Sequence, residues 1–249
     1  MNIIKRKVDI SENVMRIFVL ADLHIGDGLM DKDRLEQFID DVMADDSNYI
    51  IINGDLINNE TRQSVGDIFG AVMTPDEQID YLVELLEPMR DKILVMIEGN
   101  HELRSYKSDG ILVIKRVARE LGIENCYSNG AYLLFIDIDG VTYSIYGKHG
   151  TGGGKTVGVK ANRLIDMLDN VNADIFIHSH THTLLASRAL GNYIHPDTNE
   201  PYEVDHLFLN SSAFLKFGGY GEEQGFRPAS TLYPHIILNT KVKLARAVI

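Results

Sequence analysis

The chain has 249 residues, of which 45% are hydrophobic and 24% are charged, and its formal net charge is −12. This composition excludes a disordered or fibrous chain, and the acidic balance gives no electrostatic basis for non-specific DNA binding. A single cysteine, Cys126, excludes an intrachain disulfide and a thiolate-cluster metal site.

The hydrophobic segments are too short to cross a bilayer, and the first ten residues lack the apolar run of a secretion signal. We therefore expect a cytoplasmic protein with no membrane partner. One domain spanning residues 1–249 is expected, because single α/β domains often reach this length and no linker or internal repeat indicates a boundary. The sequence does not indicate an oligomeric state.

The first half of the chain alternates predicted strands with predicted helices. Short apolar runs predict buried strands at residues 15–20, 49–52 and 93–97. Apolar residues at three-and-four spacing predict a helix over 31–43, and a Thr-Pro-Asp-Glu capping box opens another at Thr74. Each predicted strand is followed directly by polar residues, which are Asp22-Leu23-His24, Asn53-Gly54-Asp55 and Glu98-Gly99-Asn100-His101.

The second half of the chain has a different pattern. Asp139-Gly140 is a strong hairpin signal between predicted strands at 131–136 and 141–146. A glycine-rich loop then leads to a helix predicted through 162–168, and a strand at 173–177 ends in His178-Ser179-His180-Thr181-His182. Further apolar runs predict strands at 184–190, 204–209 and 235–244.

The polar clusters at these strand ends suggest a metal site. Any one of them would also suit a helix cap or a turn, but in open α/β sheets ligands bind outside the carboxyl ends of the strands, where these clusters would meet. Imidazole and carboxylate ligands without thiolate suit manganese, iron, zinc or nickel. A carboxylate such as Asp55 can bridge two ions, and the mixture of ligands leaves coordination positions for water.

The ordered clusters also resemble a known family. Asp22-x-His24, Gly54-Asp55, Gly99-Asn100-His101-Glu102, His149-Gly150 and His180-x-His182 are similar to the five motifs of the calcineurin-like metallophosphoesterase superfamily. The resemblance spans Asp22 to His182 and implies a four-layer α/β/β/α sandwich with two central mixed sheets. We expect two divalent metal ions, with manganese favoured over iron, zinc or nickel.

The resemblance also implies a role for each matching residue. The first ion would be held by Asp22, His24, Asp55 and His182, and the second by Asp55, Asn100, His149 and His180. His101 would stay off the metals and act on the substrate phosphate or protonate the leaving oxygen, a group that chemistry also requires because an alkoxide leaves poorly. Ser179 stands where the family usually has glycine, and we expect a slightly altered turn rather than a lost ligand.

The loop from Gly150 to Thr156 resembles a phosphate-binding Walker A loop, but its spacing fails because His149 occupies the position of the required first glycine. We expect instead that Lys155, with Lys160 or Arg163 as further candidates, contacts a substrate phosphate. Arg104 is another candidate phosphate contact, and a surface charge is its alternative interpretation.

Two other polar residues near the motifs keep two interpretations each. Glu102 either orients His101 or is solvated. His178 is either a structural residue or a partner of a metal ligand, and the structural role is favoured.

These residues predict a metallophosphoesterase in which a hydroxide activated by two metals cleaves a phosphate ester. A phosphodiester is favoured, either in nucleic acid or in a nucleotide-like molecule, although the charge does not indicate nucleic acid. A phosphomonoesterase or phosphoprotein phosphatase would use the same centre. A non-catalytic scaffold of this fold would lack ligands, whereas all seven ligand positions and His101 are present.

Overall fold

The computed structural model describes residues 1–60, 71–223, 225 and 227–249. The strands are β1 Asn2–Val8, β2 Val14–Leu20, β3 Asn48–Ile52, β4 Ile93–Ile97, β5 Tyr127–Ser128, β6 Tyr132–Ile138, β7 Val141–Lys148, β8 Ile175–His178, β9 Leu185–Ile194, β10 Pro201–Asn210, β11 His235–Asn239 and β12 Ala245–Val248. The α-helices are α1 Lys32–Met43, α2 Pro75–Leu86, α3 Glu102–Asp109, α4 Val113–Glu120, α5 Val157–Ile165 and α6 Gly219–Glu223.

The strands form two mixed sheets of six strands. The first sheet has the order β1-β6-β7-β8-β10-β9, and the second has the order β12-β11-β2-β3-β4-β5. In the second sheet β2, β3, β4 and β5 pair in parallel, and in the first sheet β7 pairs in parallel with β8. Their carboxyl ends therefore lie at one edge of each sheet.

The sheets pack with apolar residues on both faces, as buried sheets require. In β2 the side chains of Ile17 and Val19 enter the core between the two sheets, while Phe18 and Leu20 face the helices on the other side. A third cluster packs α5 against the outer face of the first sheet through Leu164 and Phe176. The layers are thus helix, sheet, sheet and helix, which confirms the predicted fold class.

Most predicted elements are confirmed, including the capping box at Thr74, whose hydroxyl accepts a hydrogen bond from the Glu77 N–H. The single strand predicted over 235–244 is wrong, because the Asn239 side chain accepts hydrogen bonds from Lys241 N and Val242 N and turns the chain between β11 and β12. The helix predicted through 162–168 begins earlier, at Val157. The single domain over residues 1–249 stays a prediction.

None of the helices in the described part of the chain combines the length and the apolarity needed to span a bilayer.

Candidate metal centre

Five strand ends bring the predicted ligands together. Asp22 and His24 follow β2, Asp55 follows β3, Asn100 follows β4, His149 follows β7, and His180 and His182 follow β8. The loops after β2 and β3 continue to pair beyond the strands, since Asp22 N donates to Gly54 O at 3.0 Å and Leu23 N to Asp55 O at 2.8 Å. Both sheets therefore contribute residues to one site.

The predicted ligands adopt a rare backbone conformation. Eight non-glycine residues in the described part of the chain have a positive φ, and five of them are the predicted ligands Asp22, His24, Asp55, His180 and His182, with φ between 51° and 66°. This left-handed region costs an L-residue about 1–2 kcal/mol. Such strain persists only where the surrounding structure holds it, and it is concentrated at functional sites.

Gly54 and Gly99, which precede Asp55 and Asn100, lie where two loops approach each other too closely for a side chain. A Cβ on Gly99 would lie 2.2 Å from Asp55 N and Oδ1, and a Cβ on Gly54 would lie 2.6 Å from Gly99 N. Any side chain at these positions would push the two loops apart. The glycines thus allow the Asp55 carboxylate to approach the loop after β4.

Each carboxylate is anchored by one oxygen and presents the other to imidazoles. Asp22 Oδ2 accepts a hydrogen bond from His180 N at 3.0 Å, and Asp55 Oδ1 accepts one from His101 N at 2.8 Å. The second oxygens face the site: Asp22 Oδ1 lies 3.3 Å from His182 Nε2, and Asp55 Oδ2 lies 3.0 Å from His149 Nε2.

Within residues 1–60, 71–223, 225 and 227–249, potential ligand atoms form three groups whose members lie within 4.8 Å of one another. The groups overlap, because Asp55 and His24 each belong to two of them. They are Asp22 with His24 and His182, Asp55 with His149 and His180, and His24 with Asp55 and His101. Asn100 joins the second group, since its Oδ1 lies 3.1 Å from His149 Nε2.

These residues fit divalent metal ions. Asp22 Oδ1 and His24 Nδ1 are buried and have no hydrogen-bond partner among the described residues, and the Nε2 atoms of His24 and His182 face each other at 3.3 Å. Two imidazole nitrogens in that position need a proton or a cation between them. Nitrogen and carboxylate-oxygen ligands without sulfur are suited to first-row divalent metals.

The charges of the site favour cation binding. Burial alone would raise the pKa of Asp55, but the His149 imidazole lowers it below its ordinary value. Burial acts against the charged form of His149, whereas the Asp55 and Asp22 carboxylates raise its pKa to about 10. Burial lowers the pKa of His24, which favours the neutral imidazole that binds metals.

His101 lies at the edge of the ligand cluster. Its Nδ1 lies 2.8 Å from Asn58 O, which fixes Nδ1 as the donor and directs Nε2 toward Asp55 Oδ2 at 3.9 Å. Its ring packs edge-on against His24, with centroids 4.5 Å apart. His101 Nε2 therefore borders the space that the ligands surround.

The predicted phosphate contacts differ in position. Arg104 is half-buried beside the site and donates from one nitrogen to His101 Nε2 at 3.0 Å and from another to Asn58 O at 2.9 Å. Lys155 is exposed on the loop after His149, where its ammonium group lies beside Gly225.

The two further candidate phosphate contacts, Lys160 and Arg163, stabilise the loops of the site by hydrogen bonds. Lys160 donates to Thr181 O at 2.9 Å, between two predicted ligands, and Arg163 donates to Thr151 O and Gly153 O at 2.6 and 2.7 Å. Both cations are thus engaged with backbone carbonyls of the loops that carry the ligands.

The position of Glu102 differs from both of its interpretations. The carboxylate is fully buried and accepts hydrogen bonds from the backbone N–H groups of Asp55, Leu56, Ile57 and Gly99, at 2.6 to 3.1 Å. It neither contacts solvent nor orients the His101 ring, but holds the turn that carries Asp55. An acidic residue in the first turn of a helix is common, so the sequence carried no signal of this role.

His178 and two asparagines complete the surroundings. His178 is buried, with Nδ1 2.8 Å from Asn210 Oδ1, and burial lowers its pKa to about 4. Asn53 and Asn59 were not singled out by the sequence patterns, although Asn53 O lies 2.7 Å from His149 Nδ1 and Asn59 Nδ2 donates to His101 O at 2.6 Å.

Comparison with known proteins agrees with this geometry. A family model described as calcineurin-like phosphoesterase matches residues 15–184, more than two thirds of the chain. No match was found among curated proteins.

Several solved structures are similar at low sequence identity. A metallophosphoesterase from Sphaerobacter thermophilus is 15% identical, with 90% of this chain and 84% of that chain covered and a TM-score of 0.47. A predicted phosphoesterase from Streptococcus pneumoniae is 14% identical, with coverages of 96% and 99% and a TM-score of 0.40. A phosphatase from Mycoplasma pneumoniae is 13% identical, with coverages of 95% and 93% and a TM-score of 0.41. The assignment rests on the family model alone: this chain belongs to the calcineurin-like phosphoesterase family, whose members are hydrolases acting on phosphate esters.

Proposed function

We propose that this chain hydrolyses phosphodiesters with two divalent metal ions. The observation that carries the proposal is the position of Asp55: it shares one group with His149 and His180 and another with His24, which also belongs to the group of Asp22 and His182. A pair of ions about 3.5–4 Å apart needs a bridging ligand in such a position. One ion would be held by Asp22, His24, Asp55 and His182, and the other by Asp55, Asn100, His149 and His180.

Such ions supply Lewis acidity that polarises the phosphoryl group and activates water. The protein supplies orientation. Backbone N–H groups fix one oxygen of Asp22 and one of Asp55, so the remaining oxygens are aimed at the imidazoles before any ion arrives. A preorganised ligand set spends little free energy on ordering when the ion binds.

His101 is the residue that we assign to proton transfer. Asn58 O holds the Nδ1–H, so Nε2 is the nitrogen that exchanges a proton. Nε2 accepts from Arg104 in this structure, so it must first leave that donor and take up a proton before it can pass one to the leaving oxygen. Arg104 lies 3.0 Å from this nitrogen and can reach a phosphate oxygen bound there, since guanidinium groups bind phosphates through two parallel N–H donors. Lys155 is assigned to a more distant phosphate or charged group of the substrate.

The exposure of the cluster supports a diester substrate. The His182 side chain is 36% exposed although Asp22 beside it is fully buried, and Asn100 and His180 are half-buried. The ligands thus form a shallow site that is open on one side. A diester carries an organic group on two sides of phosphorus, and a site that is open on one side has room for the second group.

The test is a metal-supplemented assay of the purified protein on paired chromogenic monoesters and diesters, together with single- and double-stranded DNA. We expect faster turnover of the diester, and the largest activity with Mn²⁺ among Mn²⁺, Fe²⁺, Zn²⁺ and Ni²⁺. Turnover of monoesters alone would reject the diester assignment and favour a phosphomonoesterase. No turnover of any substrate by metal-loaded protein would favour a scaffold. The cytoplasmic location stays a prediction.

A further inference from the structure

Three hydrogen bonds form a closed ring around His149. The His149 Nδ1 lies 2.7 Å from Asn53 O, and the Asn53 side-chain amide donates to Ser179 Oγ at 2.7 Å. The backbone N–H of Ser179 then donates to His149 O at 3.0 Å. The imidazole and the main chain of the same histidine are therefore held by one connected set of groups.

The ring lies in the interior and joins the ends of four strands. Asn53 and Ser179 are both fully buried, as is Ser211, whose hydroxyl donates to Ser179 Oγ at 2.9 Å. The Asn53 amide also donates to Lys148 O at 3.0 Å. Asn53 follows β3, Lys148 ends β7, Ser179 follows β8 and Ser211 follows β10. The Ser179 hydroxyl is the point where these bonds meet, since it accepts from both Asn53 and Ser211.

The position of the Asn53 carbonyl determines the position of the His149 ring. A histidine ligand is oriented by the group that accepts a hydrogen bond from its other nitrogen, and that group also fixes the tautomer. Asn53 comes from the opposite sheet, and its side-chain amide ties it to the sheet of His149 by donating to Lys148 O and Ser179 Oγ.

We propose that Ser179 is a positioning residue for the metal ligand His149 and acts on it through Asn53. The inference rests on the proposed function in taking His149 as a ligand. Ser179 touches neither substrate nor ion. It determines the position of His149 Nε2 relative to the other ligands. It therefore affects the affinity for the ion bound by Asp55, Asn100, His149 and His180.

The experiment compares Mn²⁺ binding by the parent protein, Ser179→Ala and Ser179→Gly, using isothermal titration calorimetry. Loss of a group that orients a metal ligand typically weakens metal affinity about 10–100-fold. We expect a loss of that size for one of the two ions and no change for the other. Equal affinities in the parent and both variants would overturn the proposal.

Ser128→Ala is the matched control. Ser128 is also fully buried, but its hydroxyl donates to Ala131 O at 3.1 Å and belongs to none of the hydrogen bonds that connect Ser179, Asn53 and His149. We expect parental Mn²⁺ affinity in this variant even where it unfolds more easily. The same loss of affinity in Ser128→Ala would mean that any buried serine has this effect and would overturn the proposal.

Ser211→Ala keeps the proposal testable if removal of the Ser179 hydroxyl prevents folding. It removes one of the two donors to Ser179 Oγ, and we expect a smaller loss for the same ion and non-additivity with Ser179→Ala. Unchanged affinity in Ser211→Ala, with Ser179→Ala unfolded, would count against the network. Failure of the parent to bind two ions would instead reject the proposed function, so the two failures are distinguishable.

Discussion

Replacing Glu102 by glutamine should destabilise the fold, because each oxygen of the buried Glu102 carboxylate accepts two backbone hydrogen bonds. One oxygen accepts from Asp55 N and Gly99 N at 2.9 and 2.7 Å, and the other accepts from Leu56 N and Ile57 N at 2.6 and 3.1 Å. Glutamine has the same shape but one acceptor oxygen. Whichever way the amide points, its NH₂ group faces two backbone N–H groups that then lack an acceptor.

The expected loss in the free energy of unfolding follows from the number of backbone N–H groups that are left without an acceptor. A buried donor without a partner costs about 1–3 kcal/mol, so two such donors cost about 2–6 kcal/mol. Typical domains have a free energy of unfolding of about 5–15 kcal/mol, and a loss of this size is therefore large. The turn that carries Asp55 is the part of the chain that loses these bonds, so metal affinity should fall as well.

Urea unfolding of the metal-free protein, followed by far-ultraviolet circular dichroism, measures the effect. The midpoint should shift to lower urea concentration with an unchanged slope, because the surface exposed on unfolding stays the same. Glu84→Gln on the exposed face of α2 is the matched control, and it should change the free energy of unfolding by less than about 0.5 kcal/mol. A loss in Glu102→Gln as small as in this control would refute the reasoning.

Three further predictions concern the site. His101→Ala should lower kcat by about 10²–10⁴-fold and keep its metals; parental turnover with metals bound would contradict the assigned proton transfer. Asp55→Asn should bind fewer than two ions per chain, because an amide is a poor bridging ligand. Two ions per chain by elemental analysis would count against the bridging role of Asp55. The third concerns pH, since the pKa of His149 in the metal-free protein is raised from 6.5 to about 10 by the Asp55 and Asp22 carboxylates, against burial. A raised histidine pKa gives stability that is present below pH 6.5 and is lost as the pH rises through 10, so urea midpoints of the metal-free protein should fall over this window. Midpoints that rise over the same window would contradict the charge state assigned to His149.

The ligands could be predicted because their signal is local. The apolar runs of β3, β4 and β8 are uninterrupted, and that of β2 contains one charged residue, Arg16. Each run is followed by polar residues, so both the strand and its end are visible in a few consecutive letters. Parallel pairing then brings the ends of β2, β3 and β4 to one edge of the second sheet, whereas β8 lies in the first sheet. The inclusion of His149 and the assignment of each ligand to an ion came from the resemblance to the motifs of the family, and they stay predictions.

The groups that hold the ligands could not be predicted, because their partners are distant in sequence. Glu102 accepts from Asp55 N across 47 residues, and Asn53 donates to Ser179 across 126 residues. A sequence does not show which buried N–H group lacks a partner until the fold has brought the chains together. Lys160 and Arg163 are a similar case, since a cation that binds loop carbonyls has the same local pattern as one that binds phosphate.

The missed elements have weak local signals. In β1 the charged residues Lys5, Arg6 and Lys7 interrupt the apolar pattern of an edge strand that pairs only with β6 among the described strands. The start of α4 is stabilised by a tertiary contact, because Ile114 N and Lys115 N both donate to the buried carboxylate of Glu98. Neither the pairing of β1 with β6 nor the contact of α4 with Glu98 can be recognised from the adjacent residues in the sequence.

The supply of candidate ligands from both sheets has a thermodynamic consequence. Ions bound by ligands from β2, β3 and β4 in one sheet and from β7 and β8 in the other would connect the two sheets at one end of the core between them. A ligand at 100 times its dissociation constant stabilises the state that binds it by about 2.7 kcal/mol. By the same linkage, Ile136→Ala, which cuts a cavity in the core between the sheets, would lower the free energy of unfolding by the same amount with and without metal, so only the chelated protein would be brought close to unfolding.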